Sequence, residues 1–590
     1  MAKRRLFKFF LGLVILFFVV GVLAIVGAWM VMSRGPSVPE HSTLILRIGG
    51  ELVETPPNDV VGQLTGGVRA QTVRGYVDAL RRAKEDPRID SVLIIPTPIQ
   101  SPYWGKVQEI RDAVLDFRKS GKRVSAYLEY AGDREYYLAT AAEKIYLVPT
   151  SSLDVSGIAT YQLFLKGTLD KIGTQADFEK IGDYKTAPNQ LTQTTFTPAH
   201  REMTESLTRD MYEQLVRGIA ETRKKKVEDV RALIDEGPFL ARDAHKAGLV
   251  DGLAYEDQLD DQGAVSKSGT VEGESYSRTR RRITPRGAPR IAVIYVNGII
   301  NSGDSGFDPL NGDVTGSTGL VKAIRSARAD DSVRAIVVRI DSPGGSSIAS
   351  DVIWRELTVT KNEKPSRPLV ASMSDLAASG GYYVAVAASS IVAQPATLTG
   401  SIGIYGGKFI TGGTYDKLGA NIESIIIGRN AGLVSPDRPF TDSERQKLRT
   451  QIRDFYDGFL QKVATSRKMT VEQVDKLAQG RVWTGAQAQQ NGLVDALGGL
   501  DRAIALAKER AGISAETEVD VVNYPARKSL AELLVEQLSG SGNDRQIEAV
   551  LSVVSGLRTA ERRALGMLLA PARLFNPGEP LALMPMSFLR

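Results

Sequence analysis

A chain of 590 residues exceeds what one hydrophobic core normally supports, so two or more domains are expected. An apolar content of 43% and a charged content of 24% exclude wholesale disorder, and a formal charge of +6, with basic residues scattered or gathered near the N-terminus and in one linker, does not indicate nucleic acid. The lack of cysteine rules out disulfides and thiolate metal sites, and three scattered histidines (His41, His200, His245) disfavour a histidine zinc site; no residue spacing calls for a cofactor. Any catalysis is therefore expected to run on serine, lysine, carboxylates and backbone dipoles.

Residues 1–40 begin with the basic "MAKRR" and continue into an almost unbroken apolar run, Phe9–Met32. As a helix rising about 1.5 Å per residue, that run is long enough to cross a hydrocarbon core of about 30 Å. Lys3, Arg4, Arg5 and Lys8 precede it and only Arg34 follows closely, which predicts a cytoplasmic N-terminus and an extracytoplasmic body. The alternative is a cleaved signal peptide, whose apolar region is usually shorter and followed by a small-residue cleavage site that is not evident here.

Self-comparison then organises the chain. "RGYVDALRRAKEDPRIDSVLII" (Arg74–Ile95) and "TGLVKAIRSARADDSVRAIVVR" (Thr318–Arg339) align without a gap, each reading as an amphipathic helix, an Asp-containing turn and a β-branched strand. "REYYLATAAEKIYLVP" (Arg134–Pro149) matches "GGYYVAVAASSIVAQP" (Gly380–Pro395), and "AGLVDGL" (Ala247–Leu253) matches "NGLVDAL" (Asn491–Leu497). The nearly constant offset marks a tandem duplication, with strand candidates "STLILRI" and "RIAVIYV" before each repeat core. Alternating short strands and helices predict an α/β fold built of βαβ units.

The implied division is an anchor segment over 1–40, a first repeat over 41–255, a polar linker over 256–289, a second repeat over 290–512 and an extension over 513–590. The linker carries Arg278, Arg280, Arg281, Arg282 and Arg286, which reads as solvated chain, with contact to anionic lipid as the alternative. In the extension, the amphipathic stretch near "LSVVSGLRTAERRALGMLLAPARLF" suggests a packing or assembly helix.

The copies differ where chemistry would need them to. "SDLAASGGYYVAVAA" presents Ser379 on a glycine-marked turn before an apolar helix, a setting suited to a nucleophile, whereas the first copy has Asp133 there. "DSPGGS" (Asp341–Ser346) offers Gly344 and Gly345 as flexible backbone donors, and the first copy has "TPIQSP" instead. The second copy holds no histidine to activate the serine. The first copy offers Lys185, in "KIGDYKTAPNQ", opposite Ala431 of the second. A lysine serves as general base only where burial or a nearby cation lowers its pKa. One copy has lost the serine and kept a lysine; the other has done the reverse. Other candidates recede: Gly406-Gly407-Lys408 lacks the remaining residues of a phosphate loop, and Asp330-Asp331 reads as a solvated turn.

With "SDLAASGGYY", "DSPGG", "LTGSIGIYGG", "YKTA" and "GRVWTGAQAQQNGLVDALGG", the chain resembles the signal peptide peptidase A (protease IV) family in its long tandem form, over roughly residues 40–512. The resemblance implies a crotonase-like or Clp-protease-like fold. It further implies a membrane-anchored Ser–Lys dyad peptidase with Ser379 as nucleophile and Lys185 as general base, acting in the periplasm on cleaved signal peptides and other apolar peptides. It also implies that Ser401, opposite Val155, orients the lysine, and that N–H groups around Gly344, Gly345 and Gly380 hold the oxyanion. The residues after Ala187 depart from the family's pattern, which bears on substrate preference. A catalytically dead scaffold and a crotonase-type acyl-CoA enzyme are the alternatives. The resemblance suggests a ring, such as a homotetramer, and on that basis the contact joining Lys185 to Ser379 is expected between neighbouring chains.

Overall fold

The computed structural model describes residues 37–56, 71–279, 287–308 and 310–525, most of 569–585, the pair 588–589 and, singly, 21 and 566. Each repeat builds one largely parallel sheet. In the first, the strands lie in the order Gly252–Leu253, Lys144–Leu147, Arg123–Leu128, Ile89–Ile99, Ser42–Gly50, Thr270–Glu272, all parallel. In the second, the order is Val482–Thr484, Leu398–Gly400, Leu369–Ala378, Val333–Ser342, Arg290–Asn297, Asp520–Tyr524, parallel except for the antiparallel edge strand Val482–Thr484. Both central pairs read as continuous β-branched runs because their two faces are covered, as parallel sheets require. The helix–turn–strand units expected from the repeat are present as helices Val73–Glu85 and Ser317–Ala329, leading into Ile89–Ile99 and Val333–Ser342.

A third sheet joins the copies. Its strands run Gly306–Asp308, Gly312–Gly316, Ile299–Asn301, Gly344–Ser346, Leu581–Leu583, Tyr405–Ile410, Gln175–Lys180. The last pair is an antiparallel ladder between the repeats, from Tyr405 opposite Lys180 to Ile410 opposite Gln175. First-copy residues are thereby fastened directly to the second copy.

Part of the stretch read as linker is folded. Thr270–Glu272 forms the edge strand of the first sheet against Ser42–Gly50, and the helix Gly273–Arg278 packs beside it with Tyr276 buried. The polar composition that suggested a linker is that of an edge strand and a surface helix. The C-terminal extension is likewise built in, giving Asp520–Tyr524 to the second sheet and Leu581–Leu583 to the third. Among the described residues no helix is long and apolar enough to cross a membrane; the apolar run Phe9–Met32, apart from Gly21, lies outside them.

Between the copies lies a buried ionic cluster. Arg339, from the central strand of the second sheet, is fully buried and donates to Glu54 at 2.8 and 2.9 Å and to Glu109 at 2.6 Å, both carboxylates coming from the first copy. Burial opposes its charge, but the Glu109 and Glu54 carboxylates outweigh that and hold the guanidinium ionised. Next to it, Lys106 of the first copy stands 2.7 Å from Asp341 and 3.5 Å from Asp375, and its backbone N–H donates to Asp375 at 2.8 Å. Asp341 opens the glycine turn, and Asp375 lies in the strand that ends at Ser379. Removing one partner of a buried ion pair costs about 3–5 kcal/mol because a charge is left uncompensated. Arg339→Met is therefore expected to lower the thermal unfolding midpoint sharply. Adding Glu54→Gln and Glu109→Gln to it should recover part of the loss in differential scanning calorimetry.

Candidate active site

Ser379 stands at the end of the buried strand Leu369–Ala378, immediately before the helix Gly380–Ala385. The Ser379 N–H donates to the Gly400 carbonyl at 2.8 Å, and the Ser379 carbonyl accepts from the Tyr383 N–H at 2.8 Å. With φ 54° and ψ −112°, it adopts a backbone conformation that side chains other than glycine rarely take. The two glycines that follow permit the tight corner: a methyl group on Gly381 would stand 2.8 Å from the Ser342 carbonyl oxygen. The result is a hydroxyl held on a strained elbow.

Lys185 arrives from the first copy. After the strand Gln175–Lys180, the Ile181 N–H donates to the Ile404 carbonyl at 2.9 Å and the Tyr184 N–H to the Gln479 carbonyl at 3.0 Å, so the chain is pinned to the second copy on either side. The lysine stem then lies against two glycines. A methyl group on Gly480 would stand 2.5 Å from Lys185 Cβ, and one on Gly403 would stand 3.1 Å from Cδ. Nζ ends 2.8 Å from Ser379 Oγ, 3.1 Å from Ser401 Oγ and 3.3 Å from the Ser401 carbonyl oxygen. Lys185, Ser379 and Ser401 are all fully buried.

Burial alone pulls the Lys185 amine well below its ordinary pKa. The neutral amine has two N–H donors and one lone pair. Ser401 Oγ and the Ser401 carbonyl can accept both N–H bonds, which leaves the lone pair facing the Ser379 hydroxyl. That arrangement can remove a proton from Ser379. Lys185 and Ser379 belong to the same chain, which corrects the expectation of a dyad assembled between chains: the ladder between Gln175–Lys180 and Tyr405–Ile410 already brings the two copies together.

The other expected residues fall nearby in different ways. A methyl group on Gly344 would stand 2.6 Å from the Gly380 nitrogen, so the two turns touch. The Gly380 N–H, in the first turn of its helix, has no intrahelical acceptor. The Gly344 N–H donates to Ser342 Oγ at 3.1 Å, and Gly345 pairs with Ile300 in the third sheet. In the first copy, Asp133 at the place of Ser379 accepts from the Gly157 N–H at 3.2 Å, and burial pushes its carboxyl up to about 7. Ala431, opposite Lys185, is exposed. Sequence reasoning did not single out Gly403 and Gly480, although both lie within the quoted motifs; their need to be glycine shows only once the lysine stem is placed against them.

The elbow strain is testable apart from chemistry. Conformations of this kind cost on the order of 1–3 kcal/mol, which glycine relieves. Ser379→Gly is expected to unfold at a higher temperature than Ser379→Ala, since both lose the hydroxyl and only one relaxes the backbone. Equal midpoints would remove the strain.

The sequence is similar to known peptidases. The model of peptidase family S49 matches the chain twice, over residues 116–267 and 361–514. The chain is 36% identical to "Serine protease SPPA, chloroplastic" of Arabidopsis thaliana, over 82% of this chain and 73% of that protein. It is 32% identical to "Protease 4" of Salmonella typhi, over 91% of this chain and 89% of the relative. With "Protease 4" of Haemophilus influenzae the identity is 28%, over 86% and 85% of the two chains. The chain belongs to peptidase family S49, in a form carrying the family's domain twice, and is a serine-type peptidase.

Proposed function

We propose that the protein is a membrane-anchored endopeptidase with a Ser379–Lys185 dyad, degrading cleaved signal peptides and other apolar peptides at the periplasmic side of the bacterial inner membrane. The observation that carries the dyad is the 2.8 Å approach of Lys185 Nζ to Ser379 Oγ in a fully buried site. The neutral amine takes the hydroxyl proton as Oγ attacks the peptide carbonyl. The N–H of Gly380, with the Gly344–Gly345 turn beside it, faces the oxygen that gains charge. The resulting ammonium, still bound by Ser401, gives its proton to the departing amine and leaves an acyl-enzyme. Water then enters, losing its proton to the same lysine, and frees the acid product.

Membrane attachment rests on the apolar run Phe9–Met32 and the basic residues before it. A ring of two-copy chains is part of the same proposal. Within the chain, first-copy strand Gln175–Lys180 pairs with second-copy Tyr405–Ile410, whereas the repeat counterpart of the former, residues 421–426, forms no strand among the described residues. Ile425 in that segment and Ile427 just beyond it are about nine-tenths exposed, at 94% and 88%. Repetition of the internal contact from chain to chain would cover them.

Because Lys185 has to be neutral to accept the proton, and its pKa is lowered, activity is expected to rise with pH through that lowered value and to level off well before an ordinary lysine titrates. Lys185→Arg stays protonated and should lose activity on a labelled signal peptide, as should Ser379→Ala. Near-native cleavage by Lys185→Arg would remove the lysine from the mechanism. Chains carrying Ser379→Ala and Lys185→Ala, allowed to exchange subunits, should stay inactive, since each site draws on one chain.

A further inference from the structure

Ser401, which holds the lysine amine, adopts φ 48° and donates its N–H to the Arg481 carbonyl at 2.7 Å. Arg481 follows Gly480, the glycine against which the Lys185 stem rests. Its guanidinium stands 4.5 Å from the ring centre of Trp483 and 4.7 Å from that of Tyr184, the residue before the lysine. Arg481 also donates from Nη1 to Glu202 at 2.8 Å, and the Tyr184 hydroxyl donates to the other oxygen of the same carboxylate. Glu202 belongs to the first-copy helix Pro198–Arg223, whose Met203 sulfur accepts from the Val482 N–H at 3.2 Å.

A guanidinium suits this place, since its flat faces pack on aromatic rings while its edge N–H groups reach a carboxylate. Its Nε is buried with no partner among the described residues, so hydrogen bonding alone does not account for the placement. The contacts close a loop around the base. One arm runs from Glu202 through Tyr184 to the Lys185 backbone. The other runs from Glu202 through Arg481 to Ser401, whose hydroxyl and carbonyl face the amine. With its side chain 15% exposed, Arg481 stands between solvent and a fully buried lysine. The elements around that lysine carry Lys180, Asp183 and Tyr184 on its own segment and His200 and Glu202 on the helix. They also carry Asp375 on the strand before Ser379, and Asp475 and Arg481 on either side of Gly480. Burial, rather than any of these charges, lowers the lysine's pKa.

We infer that Arg481 is a positioning residue for the base, holding Ser401 and Tyr184 in place so that water is kept from the Lys185 amine. The inference rests on the reading of Lys185 as general base. Removing the Arg481 side chain opens the amine to solvent, which favours the ammonium. A pKa higher by one leaves about tenfold less neutral amine at any pH below it.

The test compares full chains carrying Arg481→Ala and Arg481→Lys. Arg481→Ala should move the acidic limb of kcat against pH upward by about one pH unit for a labelled apolar peptide. The rate then falls about tenfold below the limb and recovers above it, with KM unchanged. Arg481→Lys keeps a cation near the rings and Glu202, and should restore most of the loss. A merely structural loss would lower the rate by one factor at every pH. The lysine itself is followed in a Ser379→Ala background, through the pH dependence of trace acetylation of Lys185 by acetic anhydride, read by mass spectrometry. Its midpoint should rise by the same amount when Arg481→Ala is added. A midpoint that stays in place, or Arg481→Lys shifting as far as Arg481→Ala, overturns the inference. A midpoint that moves while the rate profile does not supports the role of Arg481 and removes Lys185 as the base. Should Arg481→Ala not fold, Glu202→Ala, at a side chain 54% exposed, decides. It should shift both readouts the same way by less, and no shift overturns the inference.

Discussion

The structure depends on keeping water from one amine. A lysine is protonated in water at neutral pH, and nothing around Lys185 other than burial lowers its pKa. The site therefore has to be sealed from several directions. Gly403 and Gly480 allow second-copy backbone to close on the lysine stem, where any side chain would collide. The ladder between Gln175–Lys180 and Tyr405–Ile410 fixes the segment that delivers it. The Arg339 and Lys106 clusters hold the first copy against the two strands that lead to the glycine turn and to Ser379.

Duplication makes this sealing possible. With Lys185 and Ser379 on separate copies, the matching position in each other copy is free to become structural. Asp133 stands where the first copy would need a serine, and its carboxyl caps a loop through Gly157. Burial raises its pKa to about 7, and a carboxyl there supplies no nucleophilic hydroxyl. Ala431 marks the vacated lysine position, on a segment that forms no strand of its own. Lys185 and Ser379 meet at the interface between the copies rather than within either one.

Much of this was legible in the sequence, because duplicated chains carry their own comparison. The paired helix–turn–strand units, the reciprocal loss of serine and lysine, and the glycine turn each follow from aligning one half with the other. What escaped is what a one-dimensional comparison cannot hold. Thr270–Glu272 looks like polar linker because an edge strand needs few apolar residues. Arg339 meets Glu54 and Glu109 from distant parts of the chain, and no local spacing signals that triad. The split of base and nucleophile between copies was visible, but whether the contact fell within or between chains turned on the cross-copy ladder, which has no motif.

The place of the C-terminal strand follows from the same physics. Gly344 and Gly345 lack side chains and adopt φ of 99° and 156°, so their strand offers backbone on a surface that an approaching chain can meet closely. A strand edge of this kind inside a closed site needs a partner, since unpaired backbone groups buried away from water are costly. Leu581–Leu583 provides that partner and brings apolar side chains against Ile299 and Tyr405. Main-chain pairing sets no requirement on sequence, so the edge that the chain's own segment satisfies is equally suited to a foreign peptide. Burial thus lowers the Lys185 pKa, and backbone pairing with Leu581–Leu583 closes the glycine strand.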